Sequence, residues 1–76
     1  MRVFVNSTGL EVPAGATALD AVRAWNPEAA DDVAVGRRMI ADSRGLAAAP
    51  DSPAHGGAIY RVLPARRRDD VEAPND

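Results

Sequence analysis

A proline–glycine break followed by a capped amphipathic segment constrains this chain more than any other feature. Residues 10–25 read LEVPAGATALDAVRAW. Leu10 and Val12 alternate with Glu11, the period of a strand with one buried face. Pro13-Ala14-Gly15 interrupts that alternation, because proline has no ladder donor and glycine admits unusual backbone angles. Thr17 is the expected N-cap, its hydroxyl accepting an amide of the first helical turn. Asp20 stands three residues on, a short-armed capping box that also puts negative charge near the helix start. Ala18, Leu19, Ala21, Val22 and Trp25 then recur at helical spacing, with Asp20, Arg23 and Ala24 off the stripe. Asn26-Pro27 stops the helix, since the residue before a proline avoids helical angles.

The flanking segments read as strands and turns. Residues 1–6 alternate, with Met1, Val3 and Val5 on one face and Arg2, Phe4 and Asn6 on the other. Asn6-Ser7-Thr8-Gly9 is turn chemistry, which predicts a hairpin onto residues 10–12. Asn26 is placed to cap a second, shorter helix with Pro27 in its first turn, Ala29, Ala30, Val33 and Ala34 toward the core, and Gly36 closing it. Met39-Ile40-Ala41 predicts a strand within residues 38–42 whose faces the pattern does not assign. Asp42-Ser43-Arg44-Gly45 predicts a tight turn onto a stub at Leu46-Ala47. Residues 48–57, with two prolines and Gly56-Gly57, are expected to be loop. The last strand is expected over residues 58–63, with Tyr60 and Val62 on one face and Ile59, Arg61 and Leu63 on the other. Residues 65–76 carry charge and proline without an apolar face and are expected to be a disordered tail.

Seventy-six residues make one small domain. Cysteine is absent, which excludes disulfides, thiolate metal sites and cysteine nucleophiles together. No long apolar segment is present, so a cytoplasmic protein without a membrane span is expected. All nine basic residues are arginine, and with no lysine there is no side-chain amine for Schiff-base or isopeptide chemistry.

A strand hairpin, one main helix and further strands imply an α+β domain with the helix across one sheet face. Three stretches resemble the ubiquitin-like β-grasp superfamily: Val3-Phe4-Val5-Asn6, Val12 to Thr17 leading into Leu19-Asp20-Ala21, and Gly57-Ala58-Ile59-Tyr60-Arg61-Val62. Within it the chain is similar to the sulfur-carrier proteins of thiamine and molybdopterin synthesis, and Gly15 to Ala21 suits TGS domains equally well. The resemblance covers residues 1–64. It implies a mixed sheet of four to five strands with the first and last strands parallel and central. Its implied core is Val3, Val5, Leu10, Val12, Leu19, Val22, Trp25, Tyr60 and Val62. Sulfur carriers end in an exposed Gly-Gly, whereas this sequence reads Ala73-Pro74-Asn75-Asp76 and has its only Gly-Gly before the last strand. Carrier chemistry is therefore not the expectation, and a divergent sulfur carrier or a TGS-like RNA contact stand as alternatives.

No catalytic constellation emerges. His55 is the single histidine; Asp51, Ser52 and His55 are neighbours in sequence, which by itself does not orient a triad. One histidine and scattered carboxylates make no metal site, and no cofactor is expected. Asp31-Asp32 reads as a wet helix face. Arg66-Arg67-Arg68 is followed at once by Asp69, Asp70 and Glu72, which cancel its field at the range of nucleic-acid attraction. The open sheet face carries the most informative pattern. Phe4, Ile59 and Leu63 share it if the end strands are neighbours, with Arg2 and Arg61 as a cationic rim. The expected function is a non-enzymatic module docking a protein partner through Phe4, Ile59, Arg61, Leu63 and Arg2, with homodimerisation through exposed sheet edges left open.

Overall fold

A computed structural model describes residues 1–65; all of the expected 65–76 tail but its first residue, the arginine run included, lies outside them. The chain forms β1 (Arg2–Val5), β2 (Thr8–Glu11), α1 (Ala18–Trp25), α2 (Pro27–Ala34), β3 (Arg38–Ala41), β4 (Ala47–Ala48) and β5 (Ile59–Pro64). The strands make one mixed sheet in the order β2-β1-β5-β3-β4. β1 lies parallel to β5, with Phe4 beside Ile59 and Val5 beside Tyr60. The other pairings are antiparallel. It is an α+β domain.

Alternation decides which side of the sheet is buried. Val3 and Val5 from β1, Tyr60 and Val62 from β5, and Ile40 from β3 are buried on the side that carries both helices. α1 packs on β1 and β2, and α2 packs on α1 and β3. Ala18, Ala21 and Val22 of α1 meet Ala29, Ala30 and Val33 of α2 in one core. The implied core residues all join it, but Leu10, Leu19 and Trp25 are half-buried at its margin.

The expectation of one main helix needs correcting: the two helices are eight residues each. Asn26 divides them. Its amide donates to the Val22 carbonyl at 2.7 Å, closing α1. Its side-chain oxygen accepts from the Glu28 and Ala29 amides at 2.9 and 3.4 Å, opening α2. α2 offers mainly alanine methyls, which look slight in sequence but let it sit close against its neighbours. Ala34, assigned to its inner face, is exposed, and Gly36 does close the helix with a positive φ of 87°.

The start of α1 is satisfied from two directions. Thr17 and Asp20 form the capping box, with the Asp20 amide 3.1 Å from Thr17 Oγ1 and the Thr17 amide 3.0 Å from Asp20 Oδ2. The Ala18 and Leu19 amides donate instead to the Ser52 and Pro50 carbonyls, both at 2.9 Å. The first-turn amides that a helix leaves unpaired are thus taken up by the loop before β5. The Ala54 amide returns a bond to Ala16 at 2.8 Å, and Ala54 is buried. That segment is therefore held against the helix, although it has no strand or helix of its own beyond Ala48.

Several boundaries shift. Thr8 and Gly9, read as turn, belong to β2, because the hairpin loop is only Asn6-Ser7, with Val5 opposite Thr8. Both loop residues have positive φ, 48° and 72°, as a two-residue turn matching the twist of its strands requires. The second stub strand is Ala47–Ala48 rather than Leu46-Ala47. At the far end, the Ala65 amide donates to the Arg37 carbonyl at 2.9 Å, so strand pairing continues into the first residue assigned to the tail.

Asn6 does more than turn. Its amide donates to the Tyr60 carbonyl at 3.0 Å, and its side-chain oxygen accepts from the Val62 amide at 3.0 Å. The side chain thereby continues the parallel ladder after β1 has turned away. Glycine substitutions separate the two roles. Ser7→Gly relieves a left-handed serine and should raise stability by about 0.5–1 kcal/mol. Asn6→Gly keeps the angle but leaves the Val62 amide unpaired, and should lower stability by about 1 kcal/mol. Urea denaturation of both variants reads the opposite signs; equal shifts would show that Asn6 acts through its backbone angle alone.

Candidate functional site

The face of the sheet opposite the helices holds all five residues singled out by alternation. Phe4 and Ile59 are neighbours in register across the parallel pair. Leu63 lies opposite Met39, and Arg61 opposite Ala41. Along β5, Arg61 therefore sits between Ile59 and Leu63, in the middle of the face and not at its rim. Ile59 is 47% exposed, while Phe4, Leu63 and Met39 are half-buried. Ala41 is 1% exposed although it lies outside the main core, so this face has a small sheltered centre of its own.

Arg2 is committed elsewhere. Its Nε is 3.3 Å from Glu11 Oε2, and the same carboxylate draws the N-terminal amine to 3.6 Å. The Arg2 pair is exposed and contributes little stability, while the amine is partly buried; together they neutralise that flank. Gly9 explains where the Arg2 and Phe4 side chains lie. A Cβ placed on Gly9 would stand 2.8 Å from Arg2 Nη1 and 3.3 Å from Phe4 Cε2. Both side chains lean over the glycine backbone, which is why Phe4 is half-covered without any helix above it.

Phe4, Ser7 and Ile59 line a shallow depression of about 300 Å³. Asn6, Ser7, Ile59, Tyr60 and Arg61 line another of about 410 Å³ beside it. The Tyr60 hydroxyl is held above its ordinary range by burial, so it stays neutral in the physiological range. Among the described residues Arg61 makes no ion pair, whereas Arg37 and Arg38 meet Asp32 at 3.7 and 3.2 Å and Arg44 meets Asp42 at 3.3 Å. Asp32 is thus an ion-pair centre on α2, and Asp31 is exposed.

The remaining candidates do not assemble. The Ser52 hydroxyl donates to the Ala49 carbonyl at 2.6 Å, and His55 is exposed beside a turn in which the Ala58 amide donates to the His55 carbonyl and Gly57 takes a φ of 85°. Among the described residues no three His, Cys, Asp or Glu side chains gather as metal ligands. No helix among them is long and apolar enough to cross a membrane. No family model, curated protein or solved structure matches this chain.

Met39 and Gly9 are the residues of this face that alternation missed. The four-residue strand Arg38–Ala41 is apolar on both sides, so its pattern could not assign Met39 to the open face. Gly9 read as turn because glycine and threonine after Asn6-Ser7 look alike whether or not the strand has begun.

Away from this face, Asp42 organises the β3–β4 turn. Its Oδ1 accepts from the Arg44 and Leu46 amides at 2.9 and 3.0 Å. The Leu46 bond, against some desolvation and with help from Arg44, pulls its carboxyl below the ordinary 3.8. A depressed carboxyl stabilises the fold above its unfolded pKa and loses that contribution as pH falls through the folded pKa. Asp42→Asn keeps an acceptor but removes the charge. The gap in thermal midpoint between wild type and Asp42→Asn should be full at neutral pH and should close as the pH falls below 3.8; a gap constant down to strong acid would mean the charge is irrelevant to the turn.

Proposed function

We propose that this chain is a ubiquitin-like β-grasp interaction module that docks a protein partner on the helix-free face of its sheet and performs no chemistry of its own. Support for the family reading comes from the strand order β2-β1-β5-β3-β4, the parallel pair between first and last strands, and a threonine-capped helix following the first hairpin. The same residues that carry the resemblance in sequence build these features.

One observation carries the docking reading. The two apolar pairs Phe4/Ile59 and Leu63/Met39 flank Arg61 on one surface, and Arg61 has no carboxylate partner among the described residues. The other large exposed apolar side chains among the described residues lie outside this face: Val35 follows α2 at 68% exposure and Leu46 sits in a turn at 56%. Scattered apolar residues are ordinary on a small domain, whereas a grouped set around a cation fits the core-and-charge pattern of interfaces. The partner surface this face suits is apolar, with a carboxylate for Arg61.

The partner is identified by photo-crosslinking from position 59 and its affinity is then measured with purified proteins. Ile59→Asp and Arg61→Glu should each weaken binding at least about tenfold, or 1.4 kcal/mol. Val35→Asp, on the helix side, should leave it unchanged, with circular dichroism confirming all three folds. Equal loss from Val35→Asp, or tight binding by Ile59→Asp, rejects the face. Phe4 is the wrong probe, because removing its ring would also uncover Gly9.

A further inference from the structure

We propose that this chain pairs with a second copy of itself along the outer edge of β2, in an antiparallel junction centred on Leu10. Among the described residues β2 ends the sheet, with β1 as its one neighbour in the strand order. Three of its four residues, Thr8, Gly9 and Glu11, are exposed.

The parity of the ladder identifies the groups that face outward. The Val12 amide donates to the Met1 carbonyl at 2.9 Å, and the N-terminal amine donates to the Val12 carbonyl at 2.8 Å. Residues 1 and 12 are therefore a hydrogen-bonded pair, and by alternation so are Val3 with Leu10 and Val5 with Thr8. Glu11 and Gly9 occupy the intervening positions, where amide and carbonyl point away from β1. The matching β1 residues turn toward β5: the Gly57 amide donates to the Arg2 carbonyl at 2.7 Å and the Phe4 amide donates to the Ala58 carbonyl at 2.9 Å. The outer edge of β2 thus presents two donors and two acceptors from Gly9 and Glu11.

A two-fold axis perpendicular to the sheet and midway between the two copies of Leu10 uses all four. Gly9 of each copy then faces Glu11 of the other in hydrogen-bonded pairs, and the two Leu10 residues face one another in the closer, non-bonded position. The side chains agree with this register. Leu10 is half-buried on the helix side, so the two leucines meet there and extend both cores across the junction.

On the opposite side the charges are complementary. Glu11 of the second copy stands beside Gly9, over which the Arg2 guanidinium already lies. Each Arg2 would hold one carboxylate from its own chain and one from the other. A side chain at position 9 would displace Arg2 from that place. This match favours a second copy over an unspecified extended peptide, which carries no obligatory carboxylate at that position. The antiparallel junction also leaves both Phe4/Ile59 faces on the same side of a continuous sheet.

Four residues make a short seam, so the dimer is weak and is sought at high concentration. Amide hydrogen exchange of the full chain at about 10 µM and about 1 mM is the direct test, with sedimentation equilibrium over the same range. The Gly9 and Glu11 amides should slow severalfold at the higher concentration, while Leu10 and Val12 stay unchanged, and the mass should rise toward the dimer. Glu11→Arg should abolish both effects, and Arg2→Glu combined with Glu11→Arg should restore them. Rapid, concentration-independent exchange at Gly9 and Glu11 with a monomeric mass overturns the proposal. A dimer that leaves those two amides in fast exchange places the contact elsewhere and overturns it too. A monomer that still binds a partner through Ile59 and Arg61 rejects the junction alone and leaves the docking face intact.

Discussion

Parallel pairing between β1 and β5 is the constraint from which the rest of the domain follows. Parallel neighbours cannot be joined by a tight turn, so the chain between them must leave the sheet, cross over and return. Here that excursion contains every other element of the described residues. β2 takes one side of β1, both helices cover one face, and β3 with β4 fills the far side of β5. The pairing also places Val3, Val5, Tyr60 and Val62 together beneath the helices. It simultaneously puts Phe4, Ile59 and Arg61 on the other side, because successive residues of a strand alternate faces. The core and the open face are one register seen from two sides. A slip of one residue would exchange them, exposing the valines and burying an arginine.

Holding a crossover in place needs attachment where the chain is irregular. The loop carbonyls of Pro50 and Ser52 on the first amides of α1 supply it, joined by the returning bond from Ala54. A helix start has donors without partners, and a proline-rich segment has carbonyls without partners; placing one on the other satisfies both. The capping box of Thr17 and Asp20 was legible because its groups are three residues apart. The loop contribution was not, because it joins residues more than thirty positions apart, and no local pattern distinguishes Pro50 and Ser52 from carbonyls that face water.

The same contrast between local and distant causes explains the site. Phe4, Ile59, Arg61 and Leu63 could be placed on one face from alternation alone, given that the end strands are adjacent. The same alternation sets Arg61 between Ile59 and Leu63, but that Met39 and Ala41 lie alongside could not be read from it, since that depends on the pairing of β3. Two apolar pairs around a central cation form a different surface from an apolar centre with a charged border. Arg61 lies between Ile59 and Leu63 along β5 and opposite Ala41, and exclusion of water by a surface docked there would strengthen its attraction for a carboxylate.

Gly9 connects the face to the sheet edge. Glycine weakens a strand interior, so its presence in a four-residue edge strand calls for a compensating use. The missing side chain provides room for the Phe4 ring and the Arg2 guanidinium to lie over the backbone. Phe4 regains cover there that no helix provides on this side, and Arg2 is brought within reach of Glu11. A larger residue at position 9 would displace the ring and the guanidinium from over the backbone, altering the open face and the edge charge together. The two proposed contacts are thus physically linked through one backbone position, although they use different surfaces and can fail separately.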